Sequence, residues 1–120
     1  MNIMVVDDSM AMRLIVIKTL REAGFGGHDI TQAEDGAKAL ALIKGDRPDL
    51  VLCDWNMPNM NGPELLQALN DEGINPTFGF VTTEATPVMK EKAFGLGARF
   101  LIVKPFTPES FQEALSPYLK

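Results

Sequence analysis

Asp54 follows four apolar residues, Leu50-Val-Leu-Cys53, and the acid pair Asp7 and Asp8 follows another such run, Ile3-Met-Val-Val6. Two further runs end on other polar groups: Phe78 to Val81 on Thr82 and Thr83, and Phe100 to Val103 on Lys104. A carboxylate can serve as a nucleophile and form an aspartyl phosphate. Phosphoryl transfer then needs an in-line attacker, a cation that bridges the developing charge, and donors for the equatorial oxygens. Asp54 fits the attacker, Asp7 and Asp8 the cation ligands, a threonine hydroxyl one donor and Lys104 another. A lone acid after a strand is an ordinary turn or capping residue. Acids after two strands, hydroxyls after a third and Lys-Pro after a fourth form a pattern that capping does not produce.

These groups meet only if the runs before them are neighbouring strands pointing the same way. The four runs are rich in β-branched and aromatic residues and do not alternate with polar ones, as expected of strands buried on both faces. A fifth, more polar candidate, Asp29 to Ala33, suits a sheet edge. Helical periods fill the gaps: Met10 to Ala23, capped by Ser9 and closed by Gly24, then Asp35 to Lys44, Pro63 to Asp71 and Val88 to Leu96. In the last, Phe111, Ala114, Leu115, Tyr118 and Leu119 make one apolar stripe. Thr107 caps that helix, Pro108 opens it and Pro117 loosens its end. Strand then helix, five times over, predicts an α/β, doubly wound, five-stranded parallel sheet with helices on both faces. Ligands of such sheets bind beyond the carboxyl ends of the strands, so one edge gathers all these polar groups.

Three carboxylates within about 5 Å repel by roughly 3 kcal/mol per pair at an effective dielectric of ~20. Such a cluster raises a pKa or holds a cation. With oxygen ligands alone the cation is hard, Mg²⁺ with Mn²⁺ as a substitute, and Mg²⁺ prefers to share a phosphate.

The chain has 120 residues, 46% of them apolar, and a net charge of −5. That length predicts one domain, 1–120, and no attached effector is expected within it. The negative balance argues against direct nucleic-acid binding and against anionic membranes. No basic segment followed by a long apolar stretch resembles a secretory signal, and none is long enough to span a bilayer, so the expected location is the cytoplasm. Cys53 is the only cysteine and reads as a packing residue.

At these residues the chain resembles the receiver domain of bacterial two-component response regulators, in its stand-alone chemotaxis form. The motifs are Val-Asp7-Asp8-Ser, Asp54-Trp-Asn-Met-Pro-Asn-Met-Asn-Gly62, Val-Thr82-Thr-Glu84-Ala and Lys104-Pro105-Phe106. The resemblance covers essentially the whole chain and implies the flavodoxin-like strand order 2-1-3-4-5, which the handedness rules alone do not select. It makes Asp54 the phosphoacceptor and gives Mg²⁺ to Asp7, Asp8, Asp54 and the backbone carbonyl of Asn56. Spacing leaves Thr82 and Thr83 equivalent; the resemblance selects Thr82. It pairs Lys104 with the phosphoryl group, makes the Lys104-Pro105 bond cis, and has Asn56 and Glu84 tune how fast the phosphate is lost. Self-catalysed phosphotransfer and autodephosphorylation follow, without turnover of a small substrate. The implied donor is a histidine kinase or a histidine phosphotransfer protein, and the implied output a phosphorylation-dependent protein target at helix 4, strand 5 and helix 5. Val88, Met89 and Phe94 offer apolar contacts there, although Phe94 is expected chiefly in the core. Gly62 is expected to permit the turn into the third helix, Trp55 to report metal binding by its fluorescence, and His28, the only histidine, to lie on the surface away from the acids. One position departs from the family: Leu101 stands where an aromatic ring usually swings inward on phosphorylation. Phe100 beside it faces the other way.

Three other functions place different demands on the sequence. A metal-dependent phosphohydrolase of the haloacid-dehalogenase type also uses an aspartate after a strand but wants a second acid two residues on, where Asn56 stands. A flavin or nucleotide binder would need a glycine-rich strand-to-helix turn, and Gly24-Phe-Gly26-Gly27 follows a helix instead. A receiver-like interaction module without phosphorylation would need no metal.

Overall fold

The computed structural model describes residues 1–119. Strands and helices alternate as β1 (Asn2–Val6), α1 (Met10–Glu22), β2 (Asp29–Ala33), α2 (Gly36–Gly45), β3 (Leu50–Cys53), α3 (Gly62–Asp71), β4 (Thr77–Thr82), α4 (Pro87–Gly95), β5 (Phe100–Val103) and α5 (Pro108–Leu115). All pairings are parallel and the sheet order is β2-β1-β3-β4-β5, as the resemblance implies.

Residue alternation along each strand divides the interior into two layers. Ile3, Val5, Leu50, Leu52, Val81, Phe100 and Ile102 face one side, where Val16, Ile17 and Leu20 of α1 and Phe111 and Leu115 of α5 cover them. Met4, Val6, Val51, Cys53, Phe78 and Phe80 face the other, covered by Ala39 and Ile43 of α2, Leu65, Leu66 and Leu69 of α3 and Ala93 of α4. Burial on both faces explains the unbroken apolar runs. The edge strand β2 has an exposed Asp29, Thr31 and Gln32, which is why it reads as polar.

Helix ends follow their caps more closely than the apolar period suggests. Asp35, Asn61 and Thr86 accept backbone N–H groups from Lys38, Glu64 and Met89, so α2, α3 and α4 begin at Gly36, Gly62 and Pro87. Helix α1 stops at Glu22 and the chain turns at Gly24, whose φ of 96° suits glycine. Helix α5 stops at Leu115, so Tyr118 lies in a following turn and Leu119 just beyond it; Pro117 cannot donate into the helical ladder there. Leu119 N–H still reaches the Leu115 carbonyl at 2.8 Å, and its side chain completes the α1–α5 layer.

Phe94 corrects an expectation. It is 49% exposed and not a core residue. The buried residue of α4 is its neighbour Ala93, and one step along a helix turns a side chain about 100° away. Val88 is more exposed still, at 76%. Among the described residues no helix is long and apolar enough to cross a membrane.

Candidate functional site

The sheet delivers its polar groups by extending its own hydrogen bonding one step beyond the strands. Asp7 N–H donates to the Ala33 carbonyl at 3.1 Å, Asp54 N–H to Val6 at 2.8 Å and Lys104 N–H to Thr82 at 2.7 Å. The backbones of Asp7 and Asp54 are thereby fixed side by side, and that of Lys104 is fixed at the same edge on the far side of β4. One carboxylate oxygen from each of Asp7, Asp8 and Asp54 lies within 4.8 Å of the others. Asp7 is buried, Asp54 partly so and Asp8 exposed, so the cluster opens to solvent on one side.

Lys104 reaches this cluster from β5, with Nζ 3.3 Å from Asp7 Oδ2 and 3.6 Å from Asp54 Oδ1. Its following peptide bond, to Pro105, is cis, as expected. The Asp54 carboxyl is nevertheless held above its ordinary range. Burial is the chief cause and the Asp7 charge the next; Lys104 and the Trp55 N–H, 2.8 Å from Asp54 Oδ1, pull the other way. The second Asp7 oxygen accepts the Ser9 N–H at 2.9 Å, which fixes its carboxylate plane. An all-oxygen donor set with excess negative charge, partly open to water, fits a hard divalent cation.

Thr82 is 1% exposed, and its hydroxyl accepts the Glu84 N–H at 3.3 Å. Thr83 is exposed. Asn56 and Glu84 have exposed side chains at the rim. Trp55 is half-buried, its ring tilted against Phe80 with centroids 4.8 Å apart. Leu101 lies in register with Phe80 and packs against the α2–α3–α4 layer, whereas Phe100 lies in the α1–α5 layer. His28 precedes β2, at the end of the sheet remote from the acids, and is half-buried. Cys53 is wholly buried in the layer under α3; burial above all, then the charges of Asp54 and Asp7, push its thiol well above the ordinary value.

Two contributions lie outside the sequence reading. Gly62 is needed for space and not for a special turn: its φ is not positive, and a Cβ there would overlap the Asp54 carbonyl oxygen and stand 2.7 Å from Phe80 Cε1. Its N–H closes the β3–α3 loop on the Trp55 carbonyl at 2.9 Å. Arg13 is buried, with Nη1 donating to the Asp7 carbonyl at 2.6 Å and Nε to Gln32 Oε1 at 2.9 Å. Its signal is positional: Arg13, Val16, Ile17 and Leu20 stand at i, i+3, i+4 and i+7, so this cation occupies the inward stripe of α1.

Comparison with known proteins shows the family and the fold. The family described as the response regulator receiver domain matches residues 3–116. The chemotaxis protein CheY-3 of Vibrio cholerae is 39% identical over 118 residues, spanning 96% of this chain and 88% of that protein. A CheY homologue of Campylobacter jejuni is 38% identical over 122 residues, 99% of this chain and 92% of its own. Among solved structures, chemotaxis protein CheY4 of Vibrio cholerae superposes with a TM-score of 0.86 at 34% identity, covering 98% of each chain. Sequence and strand order thus agree, and the chain belongs to the response regulator receiver family, as a phosphoacceptor response regulator.

Proposed function

We propose that Asp54 accepts a phosphoryl group from a phosphohistidine on a histidine kinase or phosphotransfer protein. The supporting observation is the meeting of Asp7, Asp8 and Asp54 within 4.8 Å, with Lys104 beside two of them. An ionised Asp54 oxygen attacks phosphorus, the P–N bond breaks, and its electron pair returns to the imidazole, which leaves neutral when its other nitrogen carries a proton. Asp7, Asp8, Asp54 and the Asn56 carbonyl would hold Mg²⁺, or Mn²⁺ in its place. When bound, that ion neutralises charge on the phosphoryl oxygens during transfer.

The chain's own groups do the remaining work. Lys104 offers its ammonium to a phosphoryl oxygen on the β5 side, and the Thr82 hydroxyl offers a donor on the β4 side. The Trp55 N–H holds one Asp54 oxygen, which leaves the other free to attack. Asn56 and Glu84, at the rim, set how readily water reaches the acyl phosphate, so the group is lost by self-catalysed hydrolysis. The phosphorylated chain signals by binding a protein through α4, β5 and α5, where Val88, Phe94 and Val103 are exposed. With Leu101 at the position usually aromatic, that coupling proceeds without an inward-swinging ring.

Incubation with a small phosphodonor and Mg²⁺, read by intact mass, tests the assignment. One added phosphate is expected in the wild type, none without metal and none in Asp54→Ala. A fully modified Asp54→Ala protein moves the acceptor elsewhere.

A further inference from the structure

Residues 54–61 connect β3 to α3 and carry Asp54, Trp55 and Asn56. Their outer half is fastened to a different part of the molecule, the start of α2. Asp35 is the N-cap of that helix and is 4% exposed. Its Oδ1 accepts the Lys38 N–H at 2.8 Å, while Oδ2 accepts Asn59 Nδ2 at 2.9 Å. Next to it, Gly36 N–H donates to the Met60 carbonyl at 3.1 Å, and a Cβ on Gly36 would stand 2.6 Å from that same oxygen. Two hydrogen bonds on successive residues thus hold the loop against α2 at close range.

Asn59 has a φ of 66°, the left-handed region that most side chains avoid and that asparagine tolerates. Glycine would satisfy that backbone at least as well but carries no amide to donate. Capping alone does not demand an acid at 35 either, since serine or asparagine caps as well. A carboxylate there serves the helix with one oxygen and the loop with the other, and hydrogen bonds to a charged acceptor are stronger than neutral ones. Those two hydrogen bonds favour the ionised form, and the carboxyl is held below its ordinary range.

We infer that Asp35 and Asn59 form a positioning latch that sets the geometry of the β3–α3 loop for Mg²⁺ binding and phosphoryl transfer. The inference rests on the phosphoacceptor reading of the site. Neither residue touches the reacting atoms; the latch acts through the loop backbone that presents the Asn56 carbonyl and the Trp55 N–H.

Four variants test it: Asn59→Gly keeps the backbone and drops the bond, Asp35→Ser keeps the cap and drops the bond, and Asn59→Asp sets two carboxylates against each other. The fourth, Asp35→Asn with Asn59→Asp, rebuilds the pair in reverse, with the amide on residue 35. Mg²⁺ affinity is read from Trp55 fluorescence, loop order from amide hydrogen exchange across 55–61, and fold integrity from urea unfolding. The three single variants are expected to exchange faster across the loop and to bind Mg²⁺ about tenfold more weakly, the scale of loss when the partner of a ligand is removed. The reversed pair is expected to recover affinity to within about threefold of wild type. Wild-type affinity and exchange in all three single variants, or single-variant losses that the reversed pair leaves uncorrected, overturn the latch. Failure of wild-type Asp54 to take phosphate overturns the phosphoacceptor reading instead, and exchange still decides whether the latch orders the loop.

Discussion

The ring of Phe100 lies across Gly79, its register partner on β4, and occupies the space a side chain there would take. Phe100 is thereby committed to the α1–α5 layer, which leaves Leu101 as the β5 residue facing the other helices at this level. Gly79→Ala forces that ring aside within a packed layer, and overpacking of this kind costs about 1–3 kcal/mol. A lower urea midpoint is expected, with phosphate incorporation into the folded variant unchanged. Equal midpoints for variant and wild type would show that the ring moves freely.

Lys104 sets the balance of charge at the acid edge. Removing it as Lys104→Ala takes away the cation beside Asp7 and Asp54 and, on the proposed reading, one donor for the phosphoryl group. Phosphate incorporation from a small donor is expected to slow by about a hundredfold, the usual scale for losing one such donor. Mg²⁺ binding should persist, because the three carboxylates remain. Loss of Mg²⁺ binding in a folded Lys104→Ala protein would contradict this division of roles.

Asp54 carries a raised pKa, first from burial and then from the Asp7 charge. In the metal-free protein a raised carboxyl contributes stability that is fully present below the unfolded value of about 3.9 and is lost as pH rises through the folded value. Asp54→Asn is therefore expected to raise the urea midpoint of the metal-free protein at pH 7 and to leave it unchanged at low pH. Saturating Mg²⁺ reverses the order, since it stabilises the form that binds it. A metal-free Asp54→Asn protein less stable than wild type at pH 7 would refute the repulsion argument.

Gly62 leaves no room between the Asp54 carbonyl and the Phe80 ring. Gly62→Ala must push the first turn of α3 or the Asp54 backbone outward, at about 1–3 kcal/mol. Weaker Mg²⁺ binding is expected with the loss of stability, because the displaced backbone carries an acid ligand. Unchanged affinity by Trp55 fluorescence would mean that α3 alone absorbs the strain.

Thr82 is buried and its hydroxyl accepts the Glu84 N–H. Thr82→Val keeps the shape and removes the hydroxyl, so the expected stability change is about 1 kcal/mol. The larger effect is expected on phosphate incorporation, about tenfold slower or more. Thr83→Val, at an exposed position, should leave incorporation within about twofold, and the reverse ranking would assign the donor to Thr83.

Much of this chemistry was legible in the chain because of one property of parallel sheets. A strand buried on both faces must be apolar along its length, so the first polar residue after it marks the carboxyl edge where ligands bind. Asp7, Asp54 and Lys104 announce themselves in that way, Thr82 only together with Thr83, and the helices announce their number through apolar period and caps. The order of the strands entered through family resemblance, since local pattern carries no information about which strands pair.

What depended on three-dimensional packing was invisible for the same physical reason. Arg13 looks like any helical cation until α1 docks and turns it beneath the Asp7 carbonyl. Phe94 looks like core until Ala93 takes the inward position. Asp35 reads as a helix residue and Asn59 as a loop residue; their hydrogen bond spans 24 positions. Gly62 reads as a turn, and only the approach of Asp54 and Phe80 makes a side chain there impossible. Residue type and local spacing determine which groups reach the sheet edge, because strand alternation and helical period are short-range; distances between elements decide which of them hold the edge in shape, and those exist only once the helices have packed.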